Sequence, residues 1–170
     1  MSRVLVILGR LFVIIVAYAF AALAASAFLH VMTLGELLLS AAEFPDVIVG
    51  SIAVSIPFVT LFVAYLAFVP AAVAIAIGEI LGARDWLYYA IAGAIAAGVA
   101  VALFWHTAPE PVDFGGADAA WPQMRLLDDP RIALAILGAG MIAGLAYWVI
   151  AGRSAGNWRR GHQPPISPAP

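Results

Sequence analysis

The sequence predicts an all-α integral membrane protein, a four-helix bundle running up-down-up-down with both termini in the cytoplasm. Three observations predict it. Hydrophobic residues make up 65% of the 170 and charged ones only 11%, well outside the range of soluble domains. The apolar residues are gathered into four runs, at residues 11–32, 47–78, 87–105 and 132–150, each about as long as the ~20 residues a spanning helix needs. The arginines fall unevenly between the two sides that four crossings would create.

The second run sets the parity of the whole arrangement. Residues 47–78 are 32 positions without a charge. As a helix they would be about 48 Å long, against a hydrocarbon core of about 30 Å. Two crossings would need about 40 residues and a polar turn, which the run does not contain. One tilted or kinked crossing is therefore expected. Pro57 and Pro70 are the sites for a kink, because each lacks an N–H and crowds the preceding turn. Ser51, Ser55 and Thr60 are placed to satisfy the backbone groups freed there.

Residues 1–156 read as one transmembrane domain and 157–170 as a proline-rich cytoplasmic tail expected to be disordered. The chain opens with a short head carrying Arg3, then Arg10 and the first run. A basic head before an alanine-rich apolar stretch resembles a secretory signal. Its 22 apolar residues exceed a signal core and suffice to span, so a retained helix is expected. Ala17, Ala21 and Ala25 recur every fourth residue and give it one narrow face.

Thr33 and Glu36 have the spacing of a helix-starting capping box. Behind them, Leu34, Leu37, Leu38 and Ala41 oppose Glu36, Ser40 and Glu43. Two readings stand: a surface helix ended by Pro45, or a first span that simply continues.

After the second run, residues 79–85 form a mixed-charge turn with Gly82 suited to a helix end. Glu79 and Arg84 are either an ion pair at the cytoplasmic mouth or, as the sequence favours, solvated surface groups. Trp86, Tyr88 and Tyr89 read as an interfacial aromatic belt, and Tyr147 and Trp148 as a second. The third run carries Ala90, Ala94, Gly98 and Ala102 at four-residue spacing; the fourth carries Gly140 and Gly144 as G-x-x-x-G. Residues 107–130, broken by prolines and glycines, form the longest polar segment, whose Trp121, Met124, Leu126 and Leu127 suit the membrane surface.

With four crossings, Arg3, Arg10, Arg84, Arg153, Arg159 and Arg160 share one side, and only Arg125 and Arg131 lie on the other. That bias places the first side in the cytoplasm of a bacterial inner membrane.

The chemistry the sequence excludes is broad. No cysteine means no disulfide, thiolate metal site or thiol nucleophile. Apart from Arg10, no ionisable residue falls within the predicted membrane depth, which argues against a proton-coupled transporter, a pump or a voltage sensor. No phosphate-cradling glycine loop, H-E-x-x-H helix or serine nucleophile with a base beside it is present. No catalytic residue is predicted, the protein is expected not to be an enzyme, and nothing suggests nucleic-acid binding.

His30 and His106, each at the outer end of its span, are the only cofactor candidates. Facing each other, they would suit haem b, or a metal ion with Glu110 or Asp113. The plainer reading, which the sequence favours, leaves both as interfacial residues without cofactor or metal. Tyr18 and Tyr65 lie within spans, where a phenol needs an acceptor.

The segment from Tyr147 through Trp148, Gly152, Arg153 and Ser154 to Gly156, taken with Gly78, Glu79, Trp86, Leu87, Tyr88 and Tyr89, resembles a group of small four-span inner-membrane proteins of alphaproteobacteria. The resemblance covers spans two to four. It implies four crossings and carries no activity. The expected role is a non-enzymatic accessory or structural protein of the cytoplasmic membrane, embedded in the lipid bilayer and packing against itself or a membrane-protein partner. The alternatives are a small oligomeric permeation component lined by Ser51, Ser55 and Thr60, and a bis-histidine haem or metal protein.

Overall fold

A computed structural model describes residues 3–40, 45–107 and 130–157. Every regular element among them is helical: α1 (Arg3–Ser40), α2 (Pro45–Leu81), α3 (Trp86–Thr107), α4 (Pro130–Ile150) and a 3₁₀ turn (Gly152–Ser154). All four α-helices are long and apolar enough to cross a membrane, over Val4–Met32, Ala53–Leu81, Trp86–Phe104 and Pro130–Ile150. By length and composition the chain is therefore a multi-pass membrane protein. The expectations for residues 108–129 and for the tail beyond 157 lie outside the described residues.

The helix ends follow from local chemistry. Pro45 and Pro130 occupy the first position of α2 and α4, where the missing N–H has no intrahelical partner to lose. Asp85 caps α3, its carboxylate accepting from the Leu87 N–H at 3.2 Å. At the end of α2, Gly82 has φ of 64° and the Ala83 N–H reaches back to the Gly78 carbonyl at 2.9 Å. This is a Schellman closure, and a side chain at Gly82 would strain it.

Helix continuity bears on two expectations. α2 is one helix of 37 residues with Pro57 and Pro70 inside it, as a single crossing requires. α1 is one helix of 38 residues, so the spacing of Thr33 and Glu36 does not start a new helix, and the continuing-span reading holds. Nothing interrupts the ladder between Gly9 and Ser40, since that stretch contains no proline.

α1 packs against α2 and α4, and α3 against α2 and α4, with α3 and α4 the most closely joined. Small residues make this possible. Ala17, Ala21, Ala25 and Ser26 of α1, Ala90, Ala96 and Ala100 of α3, and Ala139 of α4 are all buried. A Cβ on Gly93 would land on the Gly140 carbonyl, one on Gly140 on the Gly93 carbonyl, and one on Gly144 on the Tyr89 carbonyl. The α3 and α4 backbones are thus in direct contact, and the G-x-x-x-G pair is where they cross.

α3 follows the expected ladder only at Ala90, which is buried against Gly144. Its inward face carries Gly93, Ala96 and Ala100, whereas Ala102 is exposed and Gly98 meets only the Leu137 side chain. In so alanine-rich a helix several four-residue ladders coexist, and the close contact selects the one containing Gly93. α2 differs from the other three: among its described side chains only Gly78 and Glu79 are buried.

Candidate functional site

One end of the bundle gathers the start of α1, the end of α2, the start of α3 and the segment after α4 around a single ion pair. Arg10, two turns into α1, is bonded to Glu79, in the last turn of α2. Arg10 Nη1 also donates to Ser154 Oγ at 2.7 Å, and Nη2 to the Ala151 carbonyl at 3.0 Å. The Ser154 hydroxyl in turn donates to the same Ala151 carbonyl at 3.1 Å. The other Glu79 oxygen accepts from the Gly156 N–H at 3.3 Å. Glu79 is only 8% exposed.

This corrects the expectation for Glu79. Its partner is Arg10 rather than Arg84, and it is buried rather than solvated. α2 stays helical beyond Glu79 to Leu81, which turns the carboxylate inward towards α1. Arg84 instead closes the turn: its Nε donates to the Ala155 carbonyl at 3.1 Å and its Nη2 to Asn157. Trp148 Nε1 donates to the Arg84 carbonyl at 2.7 Å, and the Arg153 guanidinium sits 4.6 Å from the Trp148 ring centroid, a cation–π contact.

The aromatic belts are corrected in part. Trp86 is exposed, as a belt residue should be, but Tyr89 and Tyr147 are buried in the core. Their ring centroids are 5.4 Å apart, and Tyr88 stands edge-on to Tyr89 at 5.0 Å. Tyr89 donates its hydroxyl to the Ala83 carbonyl at 3.1 Å, and Tyr88 to the Ala74 carbonyl at 2.8 Å. The small residues here make room for the rings: a Cβ on Gly78 would lie 3.0 Å from Tyr88, and one on Gly152 2.8 Å from Tyr89.

Two buried polar atoms at this end have no hydrogen-bond partner among the described residues, Arg10 Nε and the Tyr147 hydroxyl. From here an apolar cavity of about 370 Å³ runs between α2 and the other three helices.

Further along, a second set of polar contacts joins α1 to α2. Tyr18 donates to the Ala64 carbonyl at 2.6 Å, and Ser26 to the Ile56 carbonyl at 3.0 Å. His30 Nδ1 lies 2.8 Å from the Ser26 carbonyl, which can only accept, so Nδ1 carries a proton. In the neutral ring Nε2 then accepts from the Ser55 hydroxyl at 2.9 Å.

The His30 lone pair is therefore already engaged, and ligation of haem b or a metal with His106 would first have to displace Ser55. His106 is exposed at the end of α3, and no group of three or more metal-ligating side chains occurs among the described residues. Thr60 donates to the Ile56 carbonyl of its own helix at 2.7 Å. The hydroxyls that a permeation path would use are thus committed to helix contacts at Ser55 and Thr60. Tyr18 finds the acceptor expected of it. Tyr65 is 81% exposed and faces away from the bundle.

Sequence reasoning missed Glu79, Ser154 and the inward tyrosines. A signal for Glu79 was present: in an up-down arrangement the start of span one and the end of span two share a side, the first carrying Arg3 and Arg10 and the second a lone Glu79. Fold and site together define a polytopic helical bundle whose charged residues lock one end. No protein family, curated protein or solved structure matches the chain.

Proposed function

We propose that the protein is a non-enzymatic accessory or structural component of the bacterial cytoplasmic membrane, with four crossings running up-down-up-down and both termini cytoplasmic. Through the outer face of α2 it packs against a copy of itself or a larger membrane complex. The observation that carries this reading is Tyr65. It sits near the middle of the Ala53–Leu81 stretch, 81% exposed, with no hydrogen bond to its hydroxyl among the described residues. A phenol at that depth gains nothing from acyl chains and needs an acceptor, which a neighbouring helix supplies. Phe58, Leu61, Phe68 and Val69 flank it, all exposed, and give such a neighbour a bulky apolar surface to meet.

The orientation is supported by the six arginines against two. The lock around Arg10 and Glu79 belongs to the side with more arginines. The resemblance to alphaproteobacterial four-span proteins implies the same four crossings and carries no activity.

The test is a photo-crosslinking residue in place of Tyr65 in living cells. A discrete protein adduct is expected, at twice the chain mass for a self-contact or larger for a complex. Labelling of lipid alone would overturn the proposal. Reporter enzymes fused after Gly116 and after Gly161 should be active outside and inside the cell, respectively.

A further inference from the structure

Two guanidinium groups stand just outside the apolar spans at the locked end of the bundle. Arg84 lies two residues before the span Trp86–Phe104, and Arg153 three residues after the span Pro130–Ile150, the level at which helices meet lipid head groups. Trp148 brings the two residues together. Its Nε1 donates to the Arg84 carbonyl at 2.7 Å, and its ring carries the Arg153 guanidinium at 4.6 Å from the centroid.

Neither charge is neutralised within the fold. Arg84 and Arg153 form no ion pair among the described residues: Glu79 is taken by Arg10 and the Gly156 N–H, and Asp85 caps α3 through the Leu87 N–H. Arg84 is nonetheless held in place, its Nε bonded to the Ala155 carbonyl and its Nη2 to Asn157, which leaves Nη1 without an acceptor among the described residues. Arg153 is exposed. The Trp148 ring offers it no lone pair, so its five N–H groups stay available. A guanidinium meets a phosphate two N–H groups at a time, and holding it against an aromatic ring beforehand lessens the ordering that binding costs.

The turns beside this pair fit the rest of such a ligand. Trp86 and Leu87 at the start of α3 and Val149 at the end of α4 are exposed and offer apolar surface to acyl chains below the head group. A free ion would use none of it.

We propose that Arg84 and Arg153, ordered around Trp148, bind the phosphate of an anionic phospholipid from the leaflet at this end. The site goes beyond the accessory role: it depends neither on what α2 meets on its outer face nor on the compartment this end belongs to.

The test is native mass spectrometry of the purified full chain in detergent, titrated with phosphatidylglycerol or with phosphatidylcholine, which carries the same phosphate but no net charge. One phosphatidylglycerol per chain should be retained several-fold more strongly than phosphatidylcholine. Arg153→Gln should remove most of that preference. Arg153→Lys, which keeps the charge but not the fork, should still weaken it several-fold. Arg153 is exposed and makes no hydrogen bond among the described residues, so both variants should fold as wild type does. Equal retention of the two lipids by the wild-type chain overturns the proposal, as does an undiminished preference in Arg153→Gln. An undiminished preference in Arg153→Lys would reduce the site to diffuse surface charge and overturn it as well. Displacement of the bound lipid by inorganic phosphate would assign the pair to the free ion and overturn the lipid assignment.

Discussion

α3 and α4 are held together by what their residues lack, whereas α2 is held by what a few residues reach for. Between α3 and α4, Gly93, Gly140 and Gly144 bring backbone against backbone, leaving no room for a single added methyl group. α2 keeps its large side chains outside and is tied in by hydrogen bonds to its carbonyls at Ile56, Ala64 and Ala74 and by the ion pair at Glu79. In lipid, where burial of apolar surface between helices gives little driving force, both devices work. They fail differently: close contact is intolerant of volume, and point tethers are intolerant of lost polarity.

The largest effect should follow from adding volume at the α3/α4 crossing. Gly144→Val places branched carbon on the Tyr89 carbonyl and should cost at least about 3 kcal/mol, enough to stop accumulation of folded protein. Gly98→Val, where the nearest atom is the Leu137 side chain at 3.8 Å, should be near neutral. Thermal unfolding in detergent checks the contrast, and equal melting points would erase the distinction between the two regions.

Next comes the tether at Glu79. Glu79→Ala leaves Arg10 largely buried without its counter-charge and should cost about 2–3 kcal/mol, somewhat less than for a fully buried pair because both side chains keep slight exposure. The double change Arg10→Met with Glu79→Leu should recover most of that loss, since an apolar pair needs no desolvation. A double variant no better than the single one would mean that Ser154 and Ala151, rather than Glu79, are what Arg10 serves.

The smallest effects belong to the hydroxyl tethers. Tyr18→Phe and Ser26→Ala should each cost about 0.5–1 kcal/mol, the usual worth of an interhelical hydrogen bond in a membrane protein. Their acceptors, Ala64 and Ile56, are about two turns apart on α2, so the two losses should add. Marked non-additivity in the same melting assay would show that α2 detaches as one unit.

The spans were legible in the sequence because lipid imposes a length and forbids polar interruptions, and both are local properties. The unbroken helix of the second run followed from the same constraint, and the close contact at Gly140 and Gly144 from a four-residue spacing. The pairing at the end of the bundle was not legible in the same way. Arg10 and Glu79 are 69 residues apart, and Glu79 lies one position beyond the uncharged run, where it reads as the start of a turn. Only knowing that α2 stays helical to Leu81 turns its carboxylate inward. Tyr89 and Tyr147 were misread because an amphipathic ring beside a helix end suits the membrane surface equally well. What makes room for Tyr89 is the space left by Gly78 and Gly152. The register of the α3 face was hidden by excess signal, since alanine offers several ladders at once.

The guanidinium of Arg10 is made early, yet Ser154, which accepts from it, follows 144 residues later. During synthesis that charge first waits for Glu79 and then for the 3₁₀ turn, so its three acceptors are all present only after α4 has been made. A ribosome that stalls within α4 leaves the arginine with one of its three acceptors and the glutamate without the Gly156 amide.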